Sequence, residues 1–155
     1  MNVKNKLIAI TGGAGGIGTA QSKLLAENGA IVWILDLAAD KALVLADELT
    51  AQGYQARGAA MDVGREEDWK NIVDRIVAQD GRLDVVVNNA GINIRKPIEE
   101  MNMDEWMKMM EVNTGSVFLS AKYSIPVMRR QGGGEIINTS SICGLIGHMH
   151  TPEAY

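Results

Sequence analysis

The sequence has a single cysteine, Cys143, so no internal disulfide can form, and a reducing, cytoplasmic setting is expected. No apolar run approaches the about 18 residues that a membrane-spanning helix requires. The amino terminus, Met1-Asn2-Val3-Lys4-Asn5-Lys6, leads straight into a strand-like segment, so no signal peptide is read. The 15 basic residues are scattered among 19 acidic ones, for a net charge of −4, and no cluster suits a nucleic acid or an anionic membrane surface. His148 and His150 are the only histidines and offer too few ligands for a metal site, so no metal is expected.

What is present is a chain of 155 residues, 46% apolar and 22% charged, which suits one globular domain over 1–155. Its 17 glycines follow no period but gather at particular turns. Short β-branched runs alternate with longer amphipathic ones. Strands are predicted at Leu7–Thr11, Ile31–Leu35, Gln55–Met61, Leu83–Asn88 and Glu135–Thr139. Helices are predicted after the glycine cluster to about Asn28, at about Ala39–Gln52, over Glu66–Gln79, and as one long helix over Asp104–Arg130. Near-continuous apolar strands interleaved with helices indicate α/β architecture, a doubly wound parallel sheet.

Thr11-Gly12-Gly13-Ala14-Gly15-Gly16-Ile17-Gly18 lies between the first strand and the first helix. Glycine permits a sharp turn and close ligand approach there, and the unpaired amides at a helix start attract a pyrophosphate. Asp36 closes the second strand, where its carboxylate can accept from adenosine ribose hydroxyls and repel a 2′-phosphate. No Lys or Arg follows until Lys41. The pairing favours NAD over NADP, with a helix N-cap as the plainer role for Asp36.

The spacing Gly12-x-x-x-Gly16-x-Gly18, followed by Asn88-Asn89-Ala90-Gly91, resembles the classical short-chain dehydrogenase/reductase family. The likeness runs from Leu7 to Tyr155. It implies a Rossmann-type fold, a nicotinamide cofactor and interconversion of alcohols with carbonyl compounds. Carried across, Gly12, Gly16, Ile17 and Gly18 form the dinucleotide loop, while Asp62 and the Val63 backbone meet the adenine. Asn89, Ala90 and Gly91 line the ribose side. Asn113 matches the family's proton-relay asparagine, Ser141 the catalytic serine and Tyr155 the catalytic tyrosine, which also borders the cofactor. The resemblance further implies a homo-dimer or homo-tetramer, with the helix at about 104–130 in one interface. In two respects the sequence departs from the family. The Ser141–Tyr155 interval is one residue longer than the commonest spacing, which keeps Ser140 in play. The family motif is Tyr-x-x-x-Lys, and the sequence ends at the tyrosine, so a domain incomplete on its carboxyl-terminal side, and inactive in isolation, is expected.

The reaction expected of the whole protein is hydride transfer between NAD and a secondary alcohol or ketone. A tyrosine near a positive charge can act as acid/base, and a serine hydroxyl can hold the substrate oxygen. A dinucleotide-binding module without turnover is the alternative. Plainer roles remain for individual residues. Ser140 and Ser141 can simply start a turn, and a mid-helix Asn113 can bond to backbone. Met101–Met110 reads as core packing, with part in a subunit interface. Cys143 reads as a small packing residue without an evident base.

Overall fold

The computed structural model describes residues 3–142; Cys143, His148, His150 and Tyr155 lie outside them. Five strands form one sheet: β1 (Leu7–Thr11), β2 (Ile31–Asp36), β3 (Gln55–Ala60), β4 (Val85–Asn88) and β5 (Glu135–Asn138). They run parallel in the order β3-β2-β1-β4-β5. The helices are α1 (Gly16–Glu27), α2 (Ala39–Ala51), α3 (Glu66–Asp80), α4 (Met103–Met110) and α5 (Ser116–Arg130). This is the doubly wound, Rossmann-like architecture that the alternating pattern predicts.

The central strand shows why both faces are covered. Along β1, Leu7 and Ala9 point into a core with Trp33, Leu35, Trp69, Ile72, Ile76 and Met128. Ile8 and Ile10 point the other way, into a core with Val32, Ile34, Ala42, Leu45 and Leu49. All five β1 residues are buried, so the strand reads as an unbroken apolar run. Local chemistry sets the helix limits. Glu66, Glu67 and Asp68 face the positive end of α3, and Gly81 ends it at φ 73°. Asn102 and Glu105 form a reciprocal cap on α4, with bonds of 2.9 and 3.0 Å.

The helix predicted over Asp104–Arg130 is broken in its hydrogen-bond pattern. Between α4 and α5 the turn widens into a π-helical segment, Glu111–Gly115, that contains Asn113. The Met-rich stretch also departs from expectation. Met109 is buried, but Met103 is 70% and Met107 56% exposed, so most of that face is not core. At the far edge β5 is thinly covered, with Ile137 41% exposed.

At the amino ends of the strands, the Asp84 carboxylate accepts from the Leu7 amide at 2.8 Å and from Arg82 at 2.5 Å. Burial pushes its pKa up, but the Arg82 bond, the Leu7 amide and nearby Lys6 outweigh that and hold it below the usual 3.8. A depressed folded pKa gives stability that is present above 3.8 and lost as pH falls through the folded value. Asp84→Asn in the full-length protein should therefore cost about 2 kcal/mol at neutral pH. In denaturant melts the gap to the native protein should narrow as pH falls below 3.8; a gap constant with pH would contradict this.

Candidate functional site

Strand order reverses between β1 and β4, whose crossovers leave on opposite faces and open a crevice at their carboxyl ends. A cleft of about 600 Å³ occupies it. Its glycine wall comprises Gly12, Gly15, Gly16, Ile17 and Gly18. Asp36 and Leu37 enter from the end of β2, and Met61, Asp62 and Val63 from beyond β3. Asn89, Ala90, Gly91 and Ile92 follow β4, and Lys108 and Val112 close the helical side. Every cofactor residue named from the sequence lines this one cleft, save Tyr155, which lies outside the described residues.

The loop's glycines have different reasons to be there. Gly12 adopts φ 60°, and a Cβ on it would lie 3.0 Å from the Ala90 Cα. A Cβ on Gly18 would run into the Gly12 carbonyl oxygen, so α1 can pass this close only without a side chain. A Cβ on Gly16 would meet nothing within 4 Å. The space above Gly16 is open toward the cleft, and no side chain caps α1 at Gly15. The first amides of α1 thus head the helix without intrahelical acceptors, beside the positive end of its dipole. That arrangement fits the diphosphate of a dinucleotide.

Two polar side chains stitch the walls together. Thr11 Oγ1 donates to the Val87 carbonyl at 3.3 Å and accepts from the Asn89 and Ala90 amides, both at 3.1 Å. Asn89 Nδ2 donates back to the carbonyls of Thr11 and Gly12, at 3.0 and 3.1 Å. Asn89 therefore positions the glycine loop as well as bordering the cleft. Asp62 Oδ1 accepts from the Gly64 amide at 2.9 Å, which folds the turn after β3. Asp36 does not cap α2, whose N-cap is Ala38 without a side-chain bond. Its Oδ2 accepts from the Ala14 amide at 3.1 Å and its Oδ1 from the Ala38 amide at 3.0 Å.

The π segment turns Asn113 toward the loop after β4. Its Oδ1 accepts from the Ile92 amide at 2.8 Å and its Nδ2 donates to the Ile92 carbonyl at 2.9 Å. This backbone clamp is the plainer role open to a mid-helix asparagine, found at the position the family resemblance selects. Beyond β5, Ser140 and Ser141 are exposed. The chain leaves β5 tied to β4, with the Thr139 amide donating to the Asn88 carbonyl at 2.9 Å and Asn88 Nδ2 to Asn138 Oδ1 at 2.8 Å. Thr11 and Lys108 were missed from sequence. Thr11 was legible only as the last residue of a strand before a glycine, and Lys108 only as a turn of helix before Val112. Among the described residues no group of three or more His, Cys, Asp or Glu could hold a metal ion.

The family model described as short chain dehydrogenase matches residues 6–154. Cyclopentanol dehydrogenase from Comamonas sp. (strain NCIMB 9872) is 40% identical over 145 residues, covering 94% of this chain and 58% of that protein. Cyclohexanol dehydrogenase from Acinetobacter sp. (strain SE19) is 38% identical over 144 residues, covering 92% and 57%. The crystal structure of a gluconate 5-dehydrogenase from Burkholderia cenocepacia J2315, in complex with NADP and tartrate, superposes with a TM-score of 0.93. It is 32% identical and the match covers 99% of this chain and 60% of that one. The chain belongs to the short chain dehydrogenase family. It spans under three fifths of the length of the curated relatives described here.

The glycine geometry separates fold from ligand. In the full-length protein Gly18→Ala should destabilise by about 1–3 kcal/mol, because the loop must move off its new methyl group. Gly16→Ala should melt within a degree or so of the native protein, yet bind the dinucleotide more weakly. Equal melting losses for both, with binding unchanged in Gly16→Ala, would contradict this division.

Proposed function

We propose that the full-length protein is an NAD-dependent dehydrogenase that interconverts a secondary alcohol and a ketone. The observation that carries this reading is the convergence of three separated motifs on one cleft at the switch point. Asp36 stands at its edge, and the one cation lining it among the described residues, Lys108, is paired with Glu111 at 3.2 Å. Relatives named for cyclopentanol and cyclohexanol support a secondary alcohol as substrate. One structural neighbour is bound to NADP, and the preference for NAD rests on Asp36 with no Lys or Arg following it until Lys41.

When bound, the nicotinamide accepts or delivers the hydride. The amides heading α1, at Gly16, Ile17 and Gly18, would hold the diphosphate, and Asp36 would accept from the adenosine ribose hydroxyls. Asp62 and the Val63 backbone would meet the adenine, while Asn89, Ala90 and Gly91 would shape the ribose wall. Ser141 donates a hydrogen bond to the substrate oxygen and fixes it beside Tyr155, which takes the alcohol proton in oxidation and returns it in reduction. Asn113 keeps the loop at Ile92 in place.

The resemblance to the family supports a homo-dimer or homo-tetramer. Phe118, 65% exposed, and Ile125, 42% exposed, recur at helical spacing on α5 and supply an apolar face for it. No helix among the described residues is long and apolar enough to cross a membrane. One cysteine in the sequence fits a cytoplasmic location, the relatives' names fit a small-molecule partner, and a net charge of −4 speaks against nucleic acid.

The cofactor reading is tested by steady-state rates on cyclic secondary alcohols. Catalytic efficiency should be higher with NAD than with NADP, because the Asp36 carboxylate repels a 2′-phosphate. Equal or better efficiency with NADP would contradict it. The proton-transfer reading is tested separately. Tyr155→Phe should lower kcat by about 10²–10⁴-fold while leaving NAD affinity nearly unchanged. A loss under about tenfold would remove Tyr155 as the acid/base. Ser141→Ala should also lose activity, and a larger loss in Ser140→Ala would shift the serine role by one residue.

A further inference from the structure

The glycine loop hangs from the end of β2 by two bonds. The Gly13 amide donates to the Leu35 carbonyl at 3.1 Å, and the Ala14 amide donates to Asp36 Oδ2 at 3.1 Å. The next amide, that of Gly15, turns back to the Gly12 carbonyl at 3.1 Å. Three successive amides are thus consumed inside the protein, and only those from Gly16 onward head the helix toward the cleft. The other Asp36 oxygen accepts from Ala38 at 3.0 Å. An ionised carboxylate offers about four lone-pair sites. Two are taken by Ala14 and Ala38, which leaves two for the hydroxyls of a ribose.

We infer that Asp36 is a bracket as well as a ribose acceptor: it sets the glycine loop in the conformation that presents the α1 amides to a diphosphate. The inference rests on the dinucleotide reading above and goes beyond it in two ways. First, Asp36 contributes to binding the diphosphate, which it does not touch. Second, its exclusion of a 2′-phosphate is rigid. With both oxygens held by backbone amides, the carboxylate cannot swing aside to admit the phosphate without releasing the loop. A small residue at this position would relieve the repulsion and lose the loop together, so removing the charge alone would not make a good NADP site.

The test uses an NAD analogue that lacks both adenosine ribose hydroxyls, so that the direct contact of Asp36 with the ribose is absent. Calorimetric titration of the full-length native protein and Asp36→Ala with NAD and with this analogue separates the two roles. Amide hydrogen exchange of the ligand-free proteins supplies an independent readout at Ala14. The bracket predicts that Asp36→Ala binds the analogue about tenfold more weakly than the native protein, the scale of a part-buried amide losing its acceptor. It also predicts faster exchange at Ala14 in the ligand-free variant. If Asp36→Ala does not fold, Asp36→Asn, with one acceptor oxygen in place of two, should show faster exchange at Ala14 or Ala38. Unchanged analogue affinity with unchanged exchange at Ala14 overturns the bracket while NAD binding stands. Failure of the native protein to bind NAD overturns the dinucleotide reading and the bracket with it.

Discussion

Where β1 and β4 part, two strand ends carry opposite walls of the cleft, and the Thr11 hydroxyl spans them. It accepts the amides of Asn89 and Ala90 while donating to Val87, and is 1% exposed. Asn89 answers with two bonds to the carbonyls of Thr11 and Gly12. Five bonds thereby tie the end of β1 and the first glycine of the loop to β4 and the turn after it. The Thr11 hydroxyl at the centre of this network is buried, so its loss would leave the part-buried amides of Asn89 and Ala90 without their acceptor. The amides of α1, the carboxylate of Asp36 and the turn at Asn89 keep their relative positions because of it.

The remaining contacts extend that frame outward. Asp36 joins the loop to the β2 end, and Asn113 joins the helical wall to Ile92. At the opposite end of the sheet, Asp84 ties the first amide of β1 to Arg82. The sheet is thus held at its amino end by the Asp84–Arg82 ion pair, and at its carboxyl end by the Thr11–Asn89 bonds together with the Asp36 carboxylate on backbone amides. Asp36 and Asp62 put negative charge on the cleft lining, and the amino end of α1 sets a positive dipole end beside them.

Much of this architecture was legible because it follows from backbone period and glycine sterics. Buried parallel strands announce themselves as apolar runs, and β1 was read to the residue. Gly12 and Gly18 were legible because a positive φ at one and a tight crossing at the other leave few residue types open. The π segment at Glu111–Gly115 was not, since its widened turn follows from the clamp on Ile92, a contact distant in sequence. Thr11 looked like any strand residue until its three partners were in view. Met103 and Met107 carry the same helical spacing whether they face a core or solvent, and only tertiary placement decided between them.

The central claim is that the crevice between β1 and β4 holds NAD with its diphosphate on the first amides of α1. A crystal structure of the full-length protein grown with NAD tests it most directly. The account predicts diphosphate oxygens within hydrogen-bond distance of the amides of Ile17 or Gly18, and the adenosine ribose hydroxyls on Asp36. A dinucleotide bound with its diphosphate away from α1, or with a ribose that does not meet Asp36, would contradict it.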